Sequence, residues 1–142
     1  KGLSSPVGSL LCGSEEFIRK ARKMRKMLGG GMRQAGFLAA CGIISLEKMV
    51  DRLKEDHDNA KYLANKLNEI EGFSVDMERV QINMIFCKVT RENFDFNNFA
   101  NKLFEKGIKI NTGENGVIRF LTNKDVTRED IDYTIQCIKE IL

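Results

Sequence analysis

The chain has 142 residues, a net charge of +3, 42% hydrophobic and 30% charged residues, which suits one soluble domain with a real core and argues against disorder. So small a positive excess does not point to nucleic acid, no apolar run reaches the roughly 18 residues of a membrane span, and nothing resembles a secretory signal. Four scattered cysteines, Cys12, Cys41, Cys87 and Cys137, form no CxxC pair, which argues against a zinc or redox motif and reads as buried free thiols in a reducing cytosol.

The chain opens on Lys1 with no initiator methionine, so it reads as a piece of something longer. Residues 1–9, rich in glycine and serine and holding the single proline, predict a loop. Residues 7–12 are a short apolar run closed by Gly13, which predicts a buried strand. Ser14 followed by Glu15 and Glu16 predicts a helix start. Phe17, Ala21, Met24 and Leu28 then recur at helical spacing and predict one buried face. The rest of that helix is basic (Arg19, Lys20, Arg22, Lys23, Arg25, Lys26), but no aromatic residue interleaves the charges, so a solvated face is the reading.

Next comes Gly29-Gly30-Gly31-Met32-Arg33-Gln34-Ala35-Gly36, around which the rest is organised. Three glycines permit backbone angles closed to other residues and a close approach by a ligand. Arg33 is expected at or just inside the next helix start, where free N–H groups and the helix dipole favour an anion. From Met32 to about Ile44 the pattern is apolar on nearly all sides, which predicts full burial. A stripe of Leu46, Val50, Leu53, His57, Ala60, Ala64 and Leu67 predicts an amphipathic helix, continuous with the previous one or broken near residues 42–45. His57, the only histidine, falls on that stripe and reads as a packed residue, not a base or ligand.

After Gly72 the period changes to two. Phe73, Val75 and Met77, then Val80, Ile82, Met84, Phe86 and Val89, predict two strands around a turn at Glu78-Arg79. Residues 95–104 predict a helix with Phe96, Phe99, Leu103 and Phe104 inward and Gly107 as its stop. Ile108 and Ile110, then residues 117–121, predict two more strands around Gly113-Glu114-Asn115-Gly116. Thr127-Arg128-Glu129-Asp130 is a capping box opening a last helix. The order after the long helix is β-β-α-β-β-α, a sheet with helices on one side. The first forty-odd residues lack strands for a sheet of their own and are expected to belong to a larger α/β body.

Lys1-Gly2-Leu3, two serines and Pro6-Val7-Gly8-Ser9, followed by Arg25-Lys26 and the glycine-arginine run to Gly36, resemble low-specificity threonine aldolases from their pyridoxal-phosphate lysine onward. Further matches are Asp56-His57 with Ala60, Leu63-Ala64 and Leu67, Asn83-Met84, and Ile118-Arg119-Phe120 before Asp125-Val126. The resemblance covers the whole chain but only about the last two-fifths of such an enzyme.

The resemblance implies an α/β fold of the pyridoxal-phosphate transferase kind (fold type I). Residues 1–44 would then be the end of a large cofactor-binding domain and residues 45–142 a small α+β carboxyl-terminal domain. It implies a lyase that splits threonine, allo-threonine and related β-hydroxy amino acids into glycine and an aldehyde, with pyridoxal 5′-phosphate as cofactor. By match, Lys1 is the lysine that carries the cofactor, Arg119 holds the substrate carboxylate, and Lys26 and Arg33 lie near the cofactor, Arg33 reaching an adjacent subunit's site. His57 matches a residue with no catalytic assignment. Asn123 departs from the histidine that many relatives carry after the threonine. The partners implied are an amino-acid substrate, the upstream half of the same enzyme and further copies in a cytoplasmic dimer or tetramer, with no nucleic acid and no membrane. Residues 1–142 alone are expected to be inactive. The alternatives are another β-eliminating pyridoxal-phosphate lyase, or a non-catalytic α+β interaction domain.

Overall fold

The computed structural model describes residues 2–111 and 115–142; Lys1 and two residues of the expected turn, Gly113 and Glu114, lie outside the described residues. In chain order the elements are α1 (Glu15–Met27), α2 (Gly36–Lys48), α3 (Leu53–Asn68), β1 (Phe73–Val75), a 3₁₀ turn (Met77–Arg79), β2 (Met84–Val89), α4 (Phe96–Glu105), β3 (Val117–Leu121) and α5 (Arg128–Ile141). Contacts divide the chain into two compact units between Asp51 and Arg52.

The second unit is built on an antiparallel sheet in the order β1-β2-β3. Strand alternation sends Phe73, Val75, Ile85, Cys87, Val89, Ile118 and Phe120 into the core. Helix α3 packs on β1 and β2, and α5 packs on α3 and α4, so these helices seal the core from one side. The opposite sheet face carries Ser74, Phe86, Lys88, Arg119 and Leu121 and stays open. Helix α5 begins with the expected capping box: the Asp130 N–H donates to Thr127 Oγ1 (3.2 Å) and the Thr127 N–H to Asp130 Oδ2 (2.9 Å). Helix α4 is stopped by Gly107 at φ +81°.

Several expectations are corrected here. Strand β2 begins at Met84, later than Val80, because β1 ends at Val75 and the chain turns at once into the 3₁₀ turn capped by the Asp76 side chain. The Asn68 side chain accepts from the Val75 N–H (2.6 Å) and donates to its carbonyl (3.0 Å), satisfying the β1 edge that faces away from β2. Among the described residues Ile108 and Ile110 form no strand, leaving three strands instead of four: the Ile108 N–H is spent on the Leu103 carbonyl at the end of α4. Phe104 points outward, 65% exposed, since it lies one position beyond the face set by Phe99 and Leu103. The long apolar segment breaks at residues 49–52, not 42–45; Gly42 costs a helix interior only about 1 kcal/mol and is tolerated.

The first unit departs further. Residues 7–12 form no strand and expose Val7, Leu10 and Leu11; no strand is described among residues 2–51, and a lone extended segment has no ladder to join. Helix α1 forms as expected behind its Ser14 cap but buries nothing, leaving Leu28 82% exposed. Helix α2 buries only Ser45, and Phe37 is 86% exposed. Cys12 is exposed and Cys41 half-buried, against the expectation for both. Cys87 and Cys137 are buried and free as expected, and burial pushes the Cys87 thiol up to about 11.

Candidate functional site

Arg119 stands at the middle of β3. Its neighbours Ile118 and Phe120 turn into the core, so alternation places it on the open sheet face. Phe86 of β2 is its register partner, bracketed by the pairs Met84–Leu121 and Lys88–Val117. Opposed residues of an antiparallel pair have Cβ atoms about 5 Å apart, so Phe86 and Arg119 share one patch. Among the described residues no carboxylate pairs with Arg119. Beside it lies a cleft of about 550 Å3, bordered also by Gly107, Lys109, Asn111, Asp125 and Tyr133. An unpaired guanidinium with an apolar neighbour is suited to grip a carboxylate through two parallel N–H bonds.

In the first unit, the glycine run closes α1. The Gly29 N–H (φ +85°) donates to Lys26 O at 3.1 Å and the Gly30 N–H to Arg25 O at 2.8 Å. A Cβ on Gly30 would stand 2.9 Å from the Arg25 carbonyl oxygen, and one on Gly31 would stand 3.0 Å from Lys26 Nζ. The glycines therefore let the chain fold back under the Lys26 ammonium. Arg33 is not at the start of the following helix: it lies in a bend, the cap is Ala35, and the first helical residue is Gly36. Gln34 at φ 51° holds the chain out of helical geometry there. What this corner offers is two exposed cations, Lys26 and Arg33, unpaired among the described residues, beside open glycine backbone. That donor set fits a phosphate ester.

Lys1, the third candidate for the cofactor, lies outside the described residues. Lys26 and the glycine turn come together within one unit, while Arg119 belongs to the other. His57 is half-buried on α3, between buried Asp56 and the buried Asn59. Asn123 has a plain structural use, its Oδ1 accepting from the Asp125 N–H at 2.8 Å to close the turn after β3.

A buried polar cluster escaped the sequence reading. Asp56 is 1% exposed and receives both Arg52 Nη1 (3.1 Å) and Nη2 (2.8 Å), a bond that raises the Arg52 guanidinium above its ordinary value. The Asn59 amide donates to Val126 O at 3.2 Å. Thr122, 0% exposed, donates to the Asp56 backbone carbonyl at 2.7 Å. The available signal was a threonine in the next core-facing slot after Ile118 and Phe120.

Residues 1–90 match the sequence model of the beta-eliminating lyases. The chain is 38% identical to low-specificity L-threonine aldolase 1 of Arabidopsis thaliana, over 100% of this chain and 40% of that one. It is 43% identical to the low specificity L-threonine aldolase of Escherichia coli K12, over 92% of this chain and 37% of that one. A solved structure from Listeria monocytogenes, assigned as an L-allo-threonine aldolase, superposes with a TM-score of 0.75 at 19% identity, covering 100% of this chain and 42% of that one. The chain thus spans about two-fifths of the length of the relatives it matches.

Proposed function

The chain belongs to the beta-eliminating lyase family and has a fold-type I architecture, and from this we propose that it is the carboxyl-terminal part of a pyridoxal-phosphate-dependent threonine aldolase. The substrates would be threonine, allo-threonine and related β-hydroxy amino acids, cleaved to glycine and an aldehyde. On this reading residues 1–44 end the large cofactor-binding domain and residues 45–142 form the small domain. The observation that carries the reading is Arg119, an arginine unpaired among the described residues and facing out of a strand whose flanking residues are buried, within a chain 43% identical to a threonine aldolase.

Pyridoxal phosphate, when bound, would take up the electron pair of the broken Cα–Cβ bond. Lys1 is the residue proposed to carry it. Lys26 and Arg33 would hold its phosphate from a neighbouring subunit of a dimer or tetramer, a role supported by their exposure at the glycine corner. Arg119 would bind the substrate carboxylate and so fix which Cα bond lies along the cofactor's π-system. Among the described residues no helix is long and apolar enough to cross a membrane; the free cysteines favour the cytoplasm as its compartment.

The test is acetaldehyde and glycine release from threonine by the full product of the gene. Wild type is expected to be active, and residues 1–142 alone inactive. Arg119→Ala is expected to lower kcat/KM by about 2–4 kcal/mol, roughly 30- to 1,000-fold. Near-normal turnover by Arg119→Ala refutes the carboxylate role.

A further inference from the structure

Strand β3 has only five residues and, among the described residues, pairs with a neighbour on one side alone. Its hydrophobic alternation protects it against a slip of one residue, which would turn Arg119 into the core. It does not protect against a slip of two. Such a slip keeps Ile118 and Phe120 on the core face and moves Arg119 along the strand by about 7 Å. Something other than apolar pattern must hold the register.

Thr122 is that something. It follows Ile118 and Phe120 in the core-facing set, where a valine would satisfy burial equally well. Instead a hydroxyl is buried there, and all three polar groups of the residue are bound. Its N–H donates to Asn83 O at 3.0 Å. Its carbonyl accepts from the Asn83 side-chain amide at 2.7 Å, which replaces the backbone bond at the end of the ladder. Its Oγ1 lies 2.7 Å from Asp56 O and 3.5 Å from Asn83 O, so the single hydroxyl proton goes to the nearer acceptor on α3. Asp56 is in turn anchored by the two-pronged bond from Arg52. A two-residue slip would bring Phe120 or Lys124 to this slot, and neither can repeat these bonds.

We propose that Thr122 and Asn83 are positioning residues for the substrate carboxylate: they clamp the end of β3 so that Arg119, three residues earlier, stands at one fixed place on the open sheet face. The proposal rests on the role given to Arg119 above.

The test is a double-mutant cycle in the full enzyme, combining Thr122→Val with Arg119→Ala and reading kcat/KM for threonine. With Arg119 present, Thr122→Val is expected to lower kcat/KM roughly tenfold, chiefly through KM. With Arg119 already removed, the same change is expected to alter it by less than about twofold. Thr122→Ser, which keeps the hydroxyl, should restore most of the loss. Should Thr122→Val fail to fold, the half-exposed Asn83 supplies Asn83→Ala, with the same non-additivity expected. Equal losses with and without Arg119 mean that the clamp serves stability alone, and overturn the proposal. A wild-type enzyme with no action on threonine is a separate result, which rejects the proposed activity and takes this positioning role with it.

Discussion

Helices α1 and α5 carry apolar stripes of equal regularity, Phe17, Ala21, Met24 and Leu28 in one, Ile131, Ile135 and Ile138 in the other. Those three isoleucines of α5 are buried, with Ile141 partly so, and no residue of α1 is. The contrast extends to the whole of each unit. From Arg52 onward a sheet supplies a flat apolar surface, and α3 and α5 close over it. Up to Asp51 there are two helices with apolar faces and no sheet among the described residues. Periodicity therefore shows that a face can be covered, while the covering itself has to come from another element. On the proposed reading, the cover for α1 and α2 is the upstream half of the enzyme and its neighbouring subunits.

The contrast is open to breakage at its charges first. Arg52→Ala would strand the buried Asp56 carboxylate, and a cost of about 3–5 kcal/mol is expected. Lys20→Ala, which removes the exposed Glu16–Lys20 pair at 2.7 Å, is expected to cost no more than about 1 kcal/mol. Urea unfolding of the two variants measures both, and equal effects would erase the distinction between the units.

Apolar truncations sharpen the same point. Leu103 is 0% exposed, and Leu103→Ala should cost about 2–5 kcal/mol through lost burial and the cavity left behind. Phe37→Ala, in α2, removes a larger side chain from an exposed position and should stay within about 0.5 kcal/mol in residues 1–142. In the assembled enzyme that small value should grow, and midpoints of thermal unfolding measured on both forms would show whether α2 gains a cover.

The smallest effect concerns the start of α5. Thr127→Ala removes the cap and should cost about 1 kcal/mol. Bonds from the Thr127 N–H and hydroxyl hold the Asp130 carboxyl below its ordinary value of 3.8. The stability this box contributes is thus present above that ordinary value and lost as the pH falls through the lowered one. Wild type and Thr127→Ala should converge in unfolding free energy as the pH is taken below 3.8; a gap that persists there would show that the carboxylate is not what the cap depends on.

Local chemistry was legible because it needs only near neighbours. Ser14 and Thr127 announced helix starts, Gly107 a helix end, and the change of period after Gly72 the sheet. The outward setting of Arg119 followed from its buried neighbours by alternation alone. Strand ends were not legible, since they depend on which group takes each backbone bond. The Asp76 cap leads the chain into the 3₁₀ turn after β1, and the Leu103 carbonyl takes the N–H that a strand at Ile108 would use. Nor could spacing show that Arg33 stands outside its helix, a matter settled by the single positive φ of Gln34.

By itself, then, the sequence determined the helices, the three strands that pair, the Ser14 and Thr127 caps, the face on which Arg119 stands and the family resemblance, because each rests on residue type and short-range spacing. Tertiary structure alone decided which apolar faces find cover and how Asp56, Asn83 and Thr122 meet, because those depend on groups that the chain brings together from 39 and 66 positions apart. The hydroxyl of Thr122 looks like any other in the sequence, and only when α3 lies against the end of β3 does it acquire a direction.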